Sequence, residues 1–157
     1  MWKEKFPAIK VVTPASAKVK AQEVINVDYT IEEISMELQQ NGITFVQAQG
    51  MRLSELMYIL DISFNVQAFI VTDMLFNLDQ NAGVVAWLLG STGDGVVPKL
   101  TSLMKLLGIS DKVQFKRWFA EDFIPRTKDT DLLIVAHGNV VSSGLNSKLQ
   151  QTIANYQ

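Results

Sequence analysis

The residues whose types could do chemistry gather in four polar stretches, each directly after an apolar run. Gln47, Gln49 and Arg52 follow residues 43–46, and Thr72 and Asp73 follow 68–71. Ser91, Thr92 and Asp94 follow 84–89, and His137, Asn139 and Ser142 follow 132–136. The third stretch, Gly-Ser-Thr-Gly-Asp-Gly over 90–95, has the G-x-x-x-x-G spacing of a phosphate cradle, whose backbone N–H groups attract anions at a helix N-terminus. Val96 and Val97 stand where Lys and Ser/Thr complete that motif, Asp94 adds a negative charge, and Pro98 replaces the last glycine of a dinucleotide fingerprint. The same residues also read as a plain turn in which Asp94 caps a helix over 97–107. Ser91, Thr92, Gly93, Asp94, Gly95 and Asn139 form the candidate ligand-binding set.

Asp73, at the mouth of a buried strand, is placed to hold Mg²⁺ or accept a phosphoryl group, but phosphotransfer needs further acidic metal ligands beside it. It is the one metal candidate, and no metal site is assigned. His137, the only histidine, could act as a general base with Asp73 or Asp131 as orienter and Ser91 or Ser142 as nucleophile. Its other reading is a hydrogen-bonded structural residue. There is no Gly-x-Ser-x-Gly elbow, and one histidine among scattered aspartates is no transition-metal pattern. No catalytic residue is therefore assigned outright; Asp73 and His137 are the candidates if the chain is an enzyme, and no cofactor is expected. Trp118, Phe119 and Phe123, interleaved with Lys116 and Arg117, are candidates for core packing, for a protein–protein interface, or for stacking on single-stranded nucleic acid.

These stretches converge only if the runs before them are strands of one sheet. Residues 68–71 and 84–89 are almost wholly apolar, the pattern of central strands covered on both faces, and 132–136 is a third such run. Thr30 followed by Glu33 is a capping box for a helix over 31–40, stopped by Asn41-Gly42 and followed by a strand at 43–46. Leu53, Leu56, Met57 and Leu60 have the spacing of an amphipathic helix face. Pro98 opens a second helix with Leu100, Leu103, Met104 and Leu107 inward, ended by Gly108. Val113, Phe115, Arg117 and Phe119 alternate with Gln114, Lys116 and Trp118 as an edge strand would. Ser142 or Ser143 can cap a last helix with Leu145, Leu149 and Ile153 on its inner face.

Residues 1–22, with Pro7, Pro14 and five lysines, read as an irregular N-terminal arm or edge element ahead of a core over 23–157, with short strands at 9–12 and 24–27. The expected architecture is one three-layer α/β domain over 1–157, with a mainly parallel open sheet flanked by helices. Ligands of such sheets bind beyond the carboxyl ends of the strands, where the four polar stretches would meet.

A chain of 157 residues is long enough to bury about 70% of the surface it exposes unfolded. A formal charge of −2 provides no field that would draw in phosphate backbones, so nucleic acid is an unlikely partner. The absence of cysteine excludes disulfides, thiolate ligands and thiol catalysis, and fits a reducing cytoplasm. No apolar run approaches the ~20 residues of a membrane span, and no signal peptide is read.

Phe-Ile-Val-Thr-Asp-Met-Leu over 69–75, Ser91-Thr92 after the next expected strand, and Lys116 on a later one resemble the receiver domains of bacterial response regulators, over residues 43–123. The resemblance implies a flavodoxin-like fold with Asp73 as phospho-acceptor. The acidic pair of that family is absent, with Gln47 and Gln49 in its place, and the run at Leu132 is extra. What it implies is therefore an atypical, non-phosphorylatable receiver-like domain, of the kind fused to localisation ATPases of pilus and secretion systems. The expected function is non-catalytic: regulation or docking through a protein partner or self-association. The alternative is a small nucleotide- or phosphate-binding enzyme using the loop at 90–95 with Asp73 and His137.

Overall fold

A computed structural model describes residues 2–52, 55–88 and 90–156. The chain divides into two compact units, 1–44 and 45–157. The first contains α1 (Trp2–Lys5), β1 (Val12–Thr13), a 3₁₀ turn (Ala15–Ala17), α2 (Lys18–Gln22), β2 (Tyr29–Thr30) and α3 (Ser35–Gln40). β1 and β2 pair in parallel, Val12 with Tyr29 and Thr13 with Thr30. Lys3 Nζ donates to Asp28 at 2.6 Å and the Val11 N–H at 2.8 Å, and these bonds hold the Asp28 carboxyl below its usual range. The capping box closes as its residues dictate: the Thr30 N–H donates to Glu33 Oε2 at 2.6 Å and the Glu33 N–H to Thr30 Oγ1 at 3.3 Å. The residues just after it form a turn, so α3 starts at Ser35, and the chain leaves it through Gly42 at a φ of 72°. The residues read as an arm thus share a unit with 23–44.

The main sheet has four strands in the order β3 (Ile43–Gln47), β4 (Leu56–Ser63), β5 (Val66–Asn77), β6 (Leu132–Gly138). It is mixed: β4 and β5 are an antiparallel hairpin around Phe64 and Asn65, while β5 and β6 run parallel with Ala68 opposite Leu132 and Val71 opposite Val135. Between β5 and β6 the chain forms α4 (Val84–Leu88), a π-helical turn (Met104–Gly108), α5 (Lys112–Trp118), a second π turn (Phe119–Phe123) and α6 (Ile124–Arg126); α7 (Leu145–Ala154) follows β6. The core is built from Met57 on β4, Phe69, Val71, Met74 and Leu75 on β5, Leu133 on β6, and Phe115, Phe119, Phe123 and Leu149 from the helical layer. Phe69 meets Phe123 edge-on at 5.0 Å and Phe119 lies 4.8 Å from Phe123, so a ladder of aromatics ties sheet to helices.

The helix read from Leu56, Met57 and Leu60 is strand β4; β-branched and aromatic residues (Tyr58, Ile59, Ile62) outweigh the chance 3–4 spacing, and Leu53 lies outside the described residues. The strand read at 84–89 is helix α4, and the central position beside β5 expected for it is taken by β4 on one side and β6 on the other; Leu89 lies outside the described residues. The edge strand read at 113–119 is helix α5. Its Asp111 caps it by accepting the Gln114 N–H at 2.9 Å, and Phe115, Trp118 and Phe119 share its buried face at i, i+3 and i+4. The helix read over 97–107 shrinks to one π turn and the residues before it, with Leu103 and Leu107 exposed. Two of the strands that carried the receiver likeness are thus helices, and Lys116 sits in α5. No helix among the described residues is long and apolar enough to cross a membrane.

Candidate functional site

The site is made by an irregularity in β5. Up to Val71 the strand pairs evenly with β6, and pairing resumes with Phe76 opposite His137, so the stretch from Val71 to Phe76 faces only Val135 to His137. Residues 72–75, four against the single Ala136, bulge out of the ladder, and a bulge re-aims the side chains it carries. Met74 and Leu75 turn into the core, and Thr72 and Asp73 turn to solvent. A bulge leaves backbone N–H groups without strand partners. Glu55, just before β4, fills that gap: its Oε1 accepts the Thr72 hydroxyl at 2.6 Å and the Met74 N–H at 2.8 Å. Burial pushes the Glu55 carboxyl above its usual range; these two bonds oppose the rise, and the neighbouring charge of Asp73 adds to it.

Opposite the bulge, His137 is the last side chain of β6 before Gly138. Its Nε2 lies 3.2 Å from Asp73 Oδ1, with the imidazole half exposed and the carboxylate 69% exposed. The Phe76 ring packs beside the imidazole, 4.3 Å between centroids, and limits its rotation. Gly138 makes the approach possible: its φ is 111°, and a Cβ there would run into the Asn77 carbonyl of β5. In the tautomer that directs an Nε2 proton to Asp73, Nδ1 is the nitrogen left to act as a base. Exposed as it is, the contact contributes at most about 1 kcal/mol to stability even with the imidazole protonated, so its significance is geometric.

The other expected rim residues fall elsewhere. Asp131, the second possible orienter, accepts the Gln67 N–H at 2.8 Å near the start of β5 and makes no bond to His137. Ser91 is buried with its hydroxyl unpaired, and Ser142 is exposed; neither is hydrogen-bonded to His137. The loop at 90–95 is fastened to the end of β5. The Gly93 N–H donates to the Leu78 carbonyl at 2.8 Å, and the buried Asn77 amide donates to the carbonyls of Gly95 at 3.0 Å and Asn139 at 2.8 Å. Asn77 thus clips together the two parts of the expected ligand set. Asp94 accepts the Val97 and Val96 N–H groups at 3.0 and 2.9 Å, and these bonds hold its carboxyl below the usual range. Asp94 caps no helix, since 95–97 form a bend and the helical segment starts only after Thr101; Thr101, accepting the Met104 N–H at 3.0 Å, is its cap. Thr92, Gly93 and Asp94 line a cleft of about 940 Å³.

The candidate interface is corrected outright: Trp118, Phe119 and Phe123 are buried, at 4, 0 and 0% exposure, as members of the core. Among the described residues no group of three or more His, Asp or Glu side chains is arranged to hold a metal ion. Glu55 and Asn77 were invisible to motif reading, because each works through backbone groups that only the fold brings to it. The sequence matches no protein-family model and no curated protein.

Proposed function

We propose that residues 45–157 carry a proton-transfer site in which His137 is the general base and Asp73 orients it. The observation that supports this is the 3.2 Å contact between Nε2 and Oδ1, made by residues of two different strands at a bulge, with the imidazole half exposed. Among the described residues no serine hydroxyl is bonded to the imidazole, and the reading takes water as the nucleophile to be activated, in hydrolysis of an ester or phosphoester. The test is hydrolysis of p-nitrophenyl acetate, p-nitrophenyl phosphate and bis-p-nitrophenyl phosphate by wild type, His137→Asn and Asp73→Asn, each with and without Zn²⁺ or Mn²⁺. Turnover that falls about 100-fold or more in His137→Asn is the expected result. Absence of turnover in the wild type under every condition, or equal turnover in His137→Asn, overturns the proposal.

A second reading, docking in a regulatory or localisation assembly as the receiver likeness implies, is favoured by one observation. α4 is a helix whose Val84, Val85, Trp87 and Leu88 are all about two-thirds exposed or more. Four large apolar side chains on one short exposed helix are what an association surface looks like. Sedimentation of the wild type and of Val85→Gln/Leu88→Gln tests it: a concentration-dependent mass lost in the variant supports self-association, and a concentration-independent monomer removes that reading.

A further inference from the structure

The cleft beside the loop at 90–95 lies outside the Asp73–His137 pair, neither of whose residues lines it. Its volume of about 940 Å³ falls in the range of small-molecule sites, about 300–1,000 Å³. Two lysines, Lys99 and Lys105, line it, and neither is in a salt bridge among the described residues. The one acid of the lining, Asp94, already has Oδ1 engaged by two backbone N–H groups. Lys99 is held in place through Nζ, which donates to the Thr92 carbonyl at 2.9 Å and keeps its other protons available.

Lys105 is not alone in its neighbourhood. Its Nζ lies 5.6 Å from the centre of the Tyr156 ring, and those of Lys112 and Lys116 lie 5.2 Å from the same centre. Three cations gathered round one ring repel one another, and an anion at the Lys105 end of the group relieves that repulsion. Trp87 contributes a flat aromatic face to the same cleft with 67% of its surface exposed. A large apolar ring left in water in a cleft that two lysines also line is complementary to a ligand that is flat on one side and negatively charged on the other. Polar lining from Asn155 and Thr92 leaves room for further hydrogen bonds.

We propose that this cleft binds a flat-ringed small molecule bearing a phosphate or carboxylate, with the ring against Trp87 and the anion between Lys99 and Lys105. The proposal is independent of the hydrolytic reading, since Asp73 and His137 take no part. Binding is read from the Trp87 indole N–H resonance, assigned with Trp87→Phe, during titration with AMP, indole-3-acetate, adenosine and inorganic phosphate. AMP or indole-3-acetate is expected to shift that resonance saturably with a Kd of about 1 mM or tighter. Adenosine and phosphate each bind tenfold or more weakly, and Lys99→Gln/Lys105→Gln weakens the aromatic anion at least tenfold while leaving circular dichroism unchanged. Lys105→Gln alone, which disturbs no hydrogen bond of the loop, produces part of the same loss. The proposal is overturned if neither aromatic anion shifts the resonance at ~10 mM, if adenosine binds as tightly as AMP, or if the lysine variants bind as the wild type does.

Discussion

Replacing Glu55 tests the origin of the site in the bulge of β5. In Glu55→Ala the Met74 N–H, on a residue with no exposed surface, loses its partner at 2.8 Å, and an unpaired buried donor costs about 1–3 kcal/mol. The Thr72 hydroxyl is exposed and can turn to water, so its 2.6 Å bond adds little to that loss. Relief of the burial that raises the Glu55 carboxyl offsets part of the cost, which leaves a net destabilisation of about 1–2 kcal/mol. Glu55→Gln keeps an acceptor oxygen and costs less. The pH dependence carries a second signature. A carboxyl raised in the folded state binds its proton more tightly there than in the unfolded chain, so its contribution is fully present below the ordinary glutamate range and is lost as pH rises through the raised value. Wild type therefore loses stability relative to Glu55→Gln as pH climbs out of the glutamate range. Urea unfolding followed by circular dichroism from pH 4 to 8 measures both effects. A Glu55→Ala variant within about 0.5 kcal/mol of wild type at every pH refutes the bracing role, as does a wild type that gains stability against Glu55→Gln over that rise.

Phe119→Ala, which opens a cavity where the Phe115, Trp118 and Phe123 rings meet, is expected to cost about 3–5 kcal/mol in thermal or urea unfolding, an outcome foreign to a surface residue. Gly138→Ala drives a Cβ against the Asn77 carbonyl at a φ that alanine rarely adopts, and should lower stability by about 3 kcal/mol or more in the same assay. Asp94→Ala removes the acceptor of the Val96 and Val97 N–H groups at a loss of about 0.5–1 kcal/mol near neutral pH. Because those bonds lower the Asp94 carboxyl, that difference should shrink as pH falls through its depressed value, which acid titration of the melting midpoint will show.

The legible parts of the sequence were those where neighbouring residues decide the structure. Thr30 and Glu33 exchange their capping bonds, Gly42 ends α3, and Leu145 and Leu149 face inward on α7 as their spacing requires. Strands β3 and β6 lie where their apolar runs stand, and Asp73 and His137 end within reach of each other as one candidate pairing had them. Elsewhere the apolar residues could serve either period. The run at 84–89 lacks a polar break to distinguish a buried strand from a short helix, and the places on both sides of β5 go to β4 and β6 instead. At 113–119 the alternation of Val113, Phe115 and Phe119 competes with the helical spacing of Phe115, Trp118 and Phe119, and the Asp111 cap tips the balance. The bulge has no local signature at all: Thr72-Asp73 looks like the end of a strand, whereas β5 continues to Asn77 because Glu55, distant in sequence, satisfies its backbone.

The central claim is that Asp73 and His137 act as one unit. It is tested most directly by comparing, on whichever ester the wild type turns over, the rates of Asp73→Asn, His137→Asn and the double variant. If Asp73 serves only through His137, the double variant is no slower than His137→Asn alone. If the two losses multiply, so that the double variant is slower by the product of the single effects, the residues act separately and the dyad is contradicted.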